Sequence, residues 1–435
     1  MFLKRSQIDP ALLAVVAEGF LSRLSFGIIG FALPLYAHHL GMSLSEIGLL
    51  VSLNTAVEIG LKPLMAPAAD RFGLKRSLSA AIGVRSIVGL LLAMASVPWQ
   101  LFVIRMLHGA SESMRDPSVS AIIAERGGKK TVASAFAWYT TAKNVAGSVG
   151  KAFAGILLTA TSSNYNIVFL AGFALSALPL YVVFRYLKDA RSAQTPAHNR
   201  SVLIPQPQPE SGIPPGMRRP PILRFFGLGV LVSGTAAMLS NLFPVLATQY
   251  AGLSEAETGI IYAISTTGII VAGPLFGWLS DNVSRKLVLA MRSIANTLSS
   301  LLYITFPSFA GVATAKVVDD MGKAAFRPAW GALMAEISSF DRAKRARTIG
   351  YLSLGENIGE VSGPILTGFL WHTWGVTVVL ITRAVLAVLT ELYSVFLVTP
   401  EGDRASTSGT CEAHPDQRAV GVGAERGEIE RSGDP

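Results

Sequence analysis

Apolar residues in this 435-residue chain gather into long runs separated by short polar breaks. Crossing ~30 Å of hydrocarbon as a helix takes about 20 such residues. Twelve runs reach that length, near 11–37, 44–68, 76–97, 99–124, 131–160, 164–187, 222–249, 255–280, 286–306, 308–337, 345–372 and 375–398. No ten-residue alternation of apolar and polar positions is present, so the pattern predicts helices and argues against a membrane barrel. A polar, proline-rich stretch (QTPAHNRSVLIPQPQPESGIPPGMRRPP) interrupts the series at its middle, and a Gly-rich polar tail follows the last run. Neither composition can pack a core. The expected organisation is a six-helix bundle over 1–187, a linker over 188–221, a second six-helix bundle over 222–398 and a disordered tail over 399–435.

The polar breaks carry the orientation. Lys4/Arg5, Arg71/Lys75/Arg76, Arg126/Lys129/Lys130, Arg218/Arg219, Arg285/Lys286 and Arg342/Lys344/Arg345/Arg347 all fall on one side. The opposite loops (HHLGMS, VPW, TSSN, QYAGLS, FPS, HTWG) contain neither Lys nor Arg. By the positive-inside rule, both termini, the linker and the tail are expected in the cytoplasm, with the bundles in the cytoplasmic (inner) membrane.

Composition agrees with that reading. The chain is 51% hydrophobic and 15% charged, against roughly a quarter charged in soluble domains. The formal net charge of +9 does not point to nucleic acid, because the basic residues cluster in the loops between apolar runs. The single cysteine, Cys411, lies in the tail, which excludes a disulfide framework and a Cys-based metal site. The start, MFLKRSQIDP, has no small-residue cleavage site and reads as a retained N-terminus.

Two stretches repeat and carry charge inside apolar runs. RMLHGASESMRDPSVSAIIAE (105–125) and KVVDDMGKAAFRPAWGALMAE (316–336) align at an offset of 211, with Arg105 over Lys316 and Pro117 over Pro328. At 100° per residue, Arg105, His108, Glu112, Arg115 and Asp116 share an arc of about 100°. Lys316, Asp319, Asp320, Lys323 and Arg327 do the same. Against lipid, nine charged groups at about 2.5–3.5 kcal/mol each would oppose insertion by ~20–30 kcal/mol. Both faces are therefore expected to turn inward, toward other helices or water. Arg85-Ser86-Ile87 also matches Arg292-Ser293-Ile294, and Asn144, Gly150 and Gly155 match Asn357, Gly363 and Gly368. Two like-oriented halves imply a central route between them at a pseudo-two-fold axis.

Between runs two and three lies Ala66-Pro-Ala-Ala-Asp70-Arg71-Phe72-Gly73-Leu74-Lys75-Arg76, and between runs eight and nine Gly277-Trp-Leu-Ser-Asp281-Asn-Val-Ser-Arg285-Lys286. These loops resemble the G-x-L-A-D-R-x-G-R-K signature of the major facilitator superfamily, and the twelve-run plan with a long middle loop fits that family from Ala11 to Val398. The resemblance implies an all-α integral membrane fold of twelve transmembrane helices in two pseudo-symmetric six-helix bundles, and a monomer. In the family, the residues matching Asp70 and Arg71 latch the outward-facing state. Carried over, the latch comprises Asp70, Arg71, Gly73, Lys75, Asp281, Arg285 and Lys286. Departures are Ala66 in place of glycine, Asn282 in place of arginine and Ser284 in place of glycine.

Arg105-x-x-His108-Gly109 resembles the family's R-x-x-Q-G motif, whose arginine is implicated in proton coupling. His108 in place of glutamine adds a group that titrates near neutrality; the plainer alternative is a hydrogen-bonded structural histidine. Gly350, Gly359, Gly363, Pro364 and Gly368 resemble the antiporter-associated motif, which exporters carry on the fifth helix instead of the eleventh. The fifth run here has Ala137, Ala146, Gly150, Ala154 and Gly155, with Lys151 where the proline belongs. Small residues every four positions let helix backbones approach closely. Both runs are therefore expected at tight interfaces between the halves.

Lys143 and Lys151 on the fifth run and Glu356 and Glu360 on the eleventh are expected to close as ion pairs between halves in one state, released by a proton or by substrate. Glu18 is a further candidate, and Glu58 with Lys62 reads as a local pair. Arg85, Arg292, Arg383 and Glu391 fall on runs that the family places peripherally, and are expected to be structural or to snorkel. Enzyme motifs are absent: GGKKT (127–131) lacks the upstream glycine and strand of a phosphate loop, and His38-His39 at a helix end is not expected to hold a metal. The expected function is a proton-driven secondary transporter, neither an enzyme nor cofactor-dependent, that exports a small polar or charged organic compound across the bilayer by alternating access. Proton-symport uptake, export of a metal or organic cation, and a non-transporting sensor or scaffold are the alternatives. Residues expected to carry coupling or substrate are Arg105, His108, Glu112, Arg115, Asp116, Lys143, Lys151, Lys316, Asp319, Asp320, Lys323, Arg327, Glu356 and Glu360.

Overall fold

The computed structural model describes residues 10–126, 132–187, 222–282, 285–339 and 345–398. Among them run twelve long helices: α1 (Pro10–His39), α2 (Leu44–Phe72), α3 (Leu74–Met94), α4 (Pro98–Arg126), α5 (Val132–Ala160), α6 (Tyr165–Tyr186), α7 (Ile222–Ser240), α8 (Glu255–Asn282), α9 (Arg285–Thr305), α10 (Phe309–Ser339), α11 (Arg345–Trp374) and α12 (Val376–Val398). Six of them (α1, α2, α3, α6, α7 and α12) are apolar enough to cross a membrane by composition alone. Helices α4 and α10 have the length, at 29 and 31 residues, but not the uniform apolarity.

Their polar stripe turns inward, as its period predicts. On α4, Arg105, His108 and Arg115 are buried, while Trp99, Val103 and Met106 point outward. On α10, Lys316, Asp319 and Asp320 are buried. The linker and tail fall outside the described residues, as does the GGKKT loop.

One run departs from the pattern. The seventh is predicted as a single helix to 249, yet α7 ends at Ser240. A short helical turn, Phe243–Val245, and a π-helical turn, Leu246–Tyr250, complete the crossing. Pro244 has no N–H to give, and its ring would strike a carbonyl four residues back, so the helix restarts around it.

Packing repeats between the halves. Helix α1 lies on α5 and α6, α2 on α4, and α3 on α4 and α6; α7 lies on α11 and α12, α8 on α10, and α9 on α10 and α12. The turns repeat too. Gly41 (φ 81°) and Gly252 (φ 67°) each make a left-handed turn that disfavours any side chain. Each precedes a capping box: Ser43 N–H donates to Glu46 at 2.7 Å, and Ser254 N–H to Glu257 at 2.8 Å.

The halves meet mainly where α2 packs on α11 and α5 on α8. That contact lies at the end of the molecule away from Pro10 and Val398, here called the far end. Core packing follows suit. One apolar cluster, running from Ile28 and Leu50 through Phe243, Tyr262 and Val379, spans both halves. Toward the near end it gives way to two separate clusters, one around Leu78, Ile123 and Val183 and the other around Phe225, Trp330 and Leu352. The molecule is joined at one end and cleft at the other.

Candidate functional site

Each half carries a buried ionic cluster built on its charged helix. In the first half, Arg115 of α4 donates through Nε and Nη2 to both carboxylate oxygens of Glu18 on α1, each at 2.8 Å. This fork-on-fork geometry gives the strongest kind of side-chain ion pair. Arg115 also donates to the Tyr139 hydroxyl at 2.8 Å, and its remaining nitrogen reaches Asp116 at 3.2 Å. Glu112, one turn earlier, accepts from Asn54 of α2 at 2.9 Å and lies 3.8 Å from Arg85 of α3. Arg105 donates to the α2 carbonyl of Val51 at 3.2 Å and to His108 Nδ1 at 3.3 Å. Since an arginine only donates, Nδ1 is the acceptor and the imidazole proton sits on Nε2. That atom is buried without a partner among the described residues, and the ring packs on Phe26.

The second cluster centres on Asp319 of α10. It accepts from Arg383 of α12, from Arg292 of α9 at 3.1 Å and from Lys323 at 2.8 Å. Asp320 is held by Lys316, by Lys323 at 3.1 Å and by the Ser265 hydroxyl of α8. Arg383 donates further to Asn296 (2.7 Å), Ser299 (3.0 Å), Ser300 (3.1 Å) and the Thr235 carbonyl (3.1 Å). The pair Arg292–Asp319 joins the same two helices as Arg85–Glu112 in the first half, both members shifted by 207 positions, one helical turn short of the 211 that aligns those helices.

Of the two expectations for these arginines, structural or snorkelling, the contacts meet the structural one. Arg85, Arg292 and Arg383 do not snorkel to an interface: they are 1%, 2% and 0% exposed. They point inward because carboxylates buried on α4 and α10 need cations from neighbouring helices. Glu391 is half-buried. The signal for Arg85 and Arg292 is present in the repeated Arg-Ser-Ile, while Glu18, Asn54 and Arg383 have no such marker.

Between the halves, Lys151 of α5 sits with Nζ 4.5 Å from the centre of the Tyr262 ring on α8, and Lys316 lies 5.2 Å from the same ring. Lys143 lies 5.2 Å from the Tyr139 ring. The expected pairs with Glu356 and Glu360 are not made here, and both carboxylates have other partners. Glu58 and Lys62 form the local pair at 3.3 Å. The side chain of Arg327 lies outside the described residues.

The small-residue motif divides by neighbour. A Cβ on Gly359 or Gly363 would collide with the α7 backbone at Val230 or Gly234, inside the second half. Gly368 and Pro364 meet the other half, the Gly368 Cα and the Pro364 carbonyl both lying against Gly48 of α2. Gly155 and Gly259 make the matching contact between α5 and α8. A Cβ on Gly350 would meet nothing within 4 Å; the residue lines a cavity of about 310 Å³ with Ile59, Lys62, Pro63 and Asn357, where α2 and α11 part toward the near end. Of the latch residues, Gly73 forms the α2–α3 turn at φ 92°, Arg71 is exposed and Lys75 half-buried. The side chains of Asp70, Asp281, Arg285 and Lys286 lie outside the described residues.

Comparison with known proteins agrees with this architecture. Multidrug resistance protein 1 of Bacillus subtilis is 24% identical over 359 residues, 81% of this chain and 87% of the relative. Quinolone resistance protein NorA of Staphylococcus aureus is 24% identical over 148 residues, 34% of this chain and 35% of that one. Two solved structures share the fold. The nucleoside transporter NupG superposes with a TM-score of 0.70 at 16% identity, over 90% of this chain and 100% of NupG. A bacterial homologue of the human lysosomal transporter Spinster, inward-facing and unoccupied, gives 0.71 at 16% identity over 91% and 98%. The sequence pattern of the Major Facilitator Superfamily matches residues 18–236 and again 225–416. A repeated six-helix plan that is matched twice by one family pattern leaves a single assignment: the chain belongs to the major facilitator superfamily, and is a multi-pass membrane transporter and not an enzyme.

Proposed function

We propose that this transporter is a proton-coupled exporter of a small polar or charged organic compound, working as a monomer by alternating access. The observation that carries the reading is the pairing of far-end closure with buried ionic clusters on α4 and α10. With the basic near-end loops in the cytoplasm, the cleft opens to the side from which an export cargo enters. The efflux-type relatives, named for multidrug and quinolone resistance, favour the same direction. Glu112 and Asp319 each tie α4 or α10 to a neighbouring helix through an arginine. Protonating either carboxylate releases that arginine, so a proton biases the cycle if it binds one state better than the other. The loops around Asp70–Arg71 and Asp281–Lys286 serve as the near-end latch. Energy comes from the proton gradient, with no cofactor.

The test is flux in liposomes with an internal pH reporter and a substrate panel. Wild-type protein moves protons against outgoing substrate. Glu112→Gln retains binding, seen as ligand-induced thermal stabilisation, and loses proton movement. Substrate efflux with no accompanying proton current would overturn the coupling.

A further inference from the structure

Apart from Arg105, held by the Leu50 and Val51 carbonyls and by His108, the described cations inside this protein fall into two groups. Arg85, Arg115, Arg292, Lys316, Lys323 and Arg383 each lie within 4.0 Å of a carboxylate. Arg23, Lys143 and Lys151 have none at that distance among the described residues, and each lies over an aromatic ring instead: Arg23 over Phe26 at 4.4 Å, Lys143 over Tyr139 at 5.2 Å and Lys151 over Tyr262 at 4.5 Å.

The three form one surface. Lys143, Gly147 and Lys151 recur every four residues on α5, a stripe ~12 Å long on one helix face. Arg23 of α1 fills the gap between the lysines, its Cγ 3.4 Å from where a Cβ on Gly147 would stand. All three are half-buried, neither sealed in the core nor open to bulk water. The stripe ends beneath the far-end closure: one turn beyond Lys151, Gly155 meets Gly259. The carboxylates that act on these cations are already engaged. Asp116, acting on Lys143, is paired with Arg115; Asp320, acting on Lys151, is held by Lys316 and Lys323; Glu112, which feels Arg23, accepts from Asn54.

Three adjacent like charges away from bulk water repel one another more strongly than they would on a surface. Aromatic rings offset part of this, but a ring face holds a cation only weakly compared with an anion. We infer that Arg23, Lys143 and Lys151 form the recognition site for an acidic group, so that the cargo is an organic anion bearing a carboxylate or phosphate. The inference rests on the transporter reading and narrows its substrate. It also links occupancy to the gate. An anion drawn to Lys151 competes with the Tyr262 ring, and Tyr262 belongs to the opposite half, on the helix that closes against α5.

The experiment is thermal unfolding of the purified full-length protein with 2-naphthoate, phenyl phosphate or tetraphenylphosphonium. Wild type, Lys151→Gln, Lys143→Gln and Lys151→Arg are compared, and their ligand-free melting curves establish folding. One or both anions stabilise wild type, which separates a carboxylate from a phosphate preference. Apparent affinity falls at least about tenfold in Lys151→Gln and Lys143→Gln, the loss of one charge-assisted contact, and Lys151→Arg retains it. Anion protection that is equal in all four proteins, or absent from all, overturns the site, as does protection by tetraphenylphosphonium alone. Coupled export of the phosphonium with no anion effect would sink this inference and leave the transporter intact. Charge-dependent anion binding without flux would do the reverse.

Discussion

Arg383 illustrates what a single residue does in an ionic cluster that water does not reach. It is fully buried and divides its guanidinium donors among Asp319, Asn296, Ser299, Ser300 and a backbone carbonyl of α7. Replacing it with methionine keeps the volume but removes one of the three cations on Asp319 and leaves several acceptors unpaired. Arg383→Met is expected to cost roughly 3–5 kcal/mol, read as a lowered unfolding transition in detergent. Lys62→Met breaks a pair whose lysine is 47% exposed and is expected to cost less than about 1 kcal/mol. Equal stability of the two variants would mean that the second-half cluster does not hold its helices together. At this scale the sequence is half legible. Helical period tells which face of α4 and α10 bears charge, since it needs only spacing along one helix. It says nothing about which helix stands opposite. The partners Glu18, Asn54 and Arg383 arrive from distant parts of the chain, and only Arg85 and Arg292 are flagged by repetition.

Among the elements, α11 shows how one run of small residues performs two jobs. Gly359 and Gly363 lie against α7 of their own half, whereas Gly368 lies against α2 of the other. The distinction is thermodynamic. A methyl forced into a tight contact costs about 1–3 kcal/mol. Within a half, that cost falls on every state, so Gly359→Ala is expected to lower stability and leave the conformational balance alone. Between halves it falls only on the far-end-closed state, and alternating states differ by only a few kcal/mol. Gly368→Ala is therefore expected to favour far-end opening. Ser52, buried one turn below Gly48, supplies the reporter as Ser52→Cys in a Cys411→Ser background. Labelling by a membrane-impermeant maleimide from the far side should rise roughly tenfold with Gly368→Ala and stay unchanged with Gly359→Ala. A rise in neither, or in both, would remove Gly368 from the gate. The spacing of small residues is plain in the sequence, but α7 and α2 are both apolar neighbours and nothing in the spacing tells them apart. The break after Ser240 is likewise written in Pro244, yet an apolar count alone reads through it.

For the molecule as a whole, the joined far end and the cleft near end define which motion is available. Within each half, helices interlock through side-chain clusters and apolar cores that cannot slide without exposing buried charge. Between halves the far-end seam consists of the shared apolar cluster, glycine contacts and a few hydrogen bonds, among them Ser163 to Glu255 at 2.9 Å and the Ala256 N–H to Thr159 at 3.0 Å. The seam is the weaker connection, so the halves should rock as bodies about the central layer where Lys151, Tyr262 and Lys316 meet. Tying the seam shut then stops the cycle without touching the cavity. With Cys411→Ser as background, Ser163→Cys and Glu255→Cys joined by a short thiol-cleavable bifunctional reagent are expected to abolish flux. Ligand-induced thermal stabilisation persists in the joined protein, because the near-end cleft stays open, and reduction of the reagent restores flux. Unimpaired transport with the halves bridged would mean that cargo crosses without the far end opening, and rocking between two rigid halves would have to be abandoned.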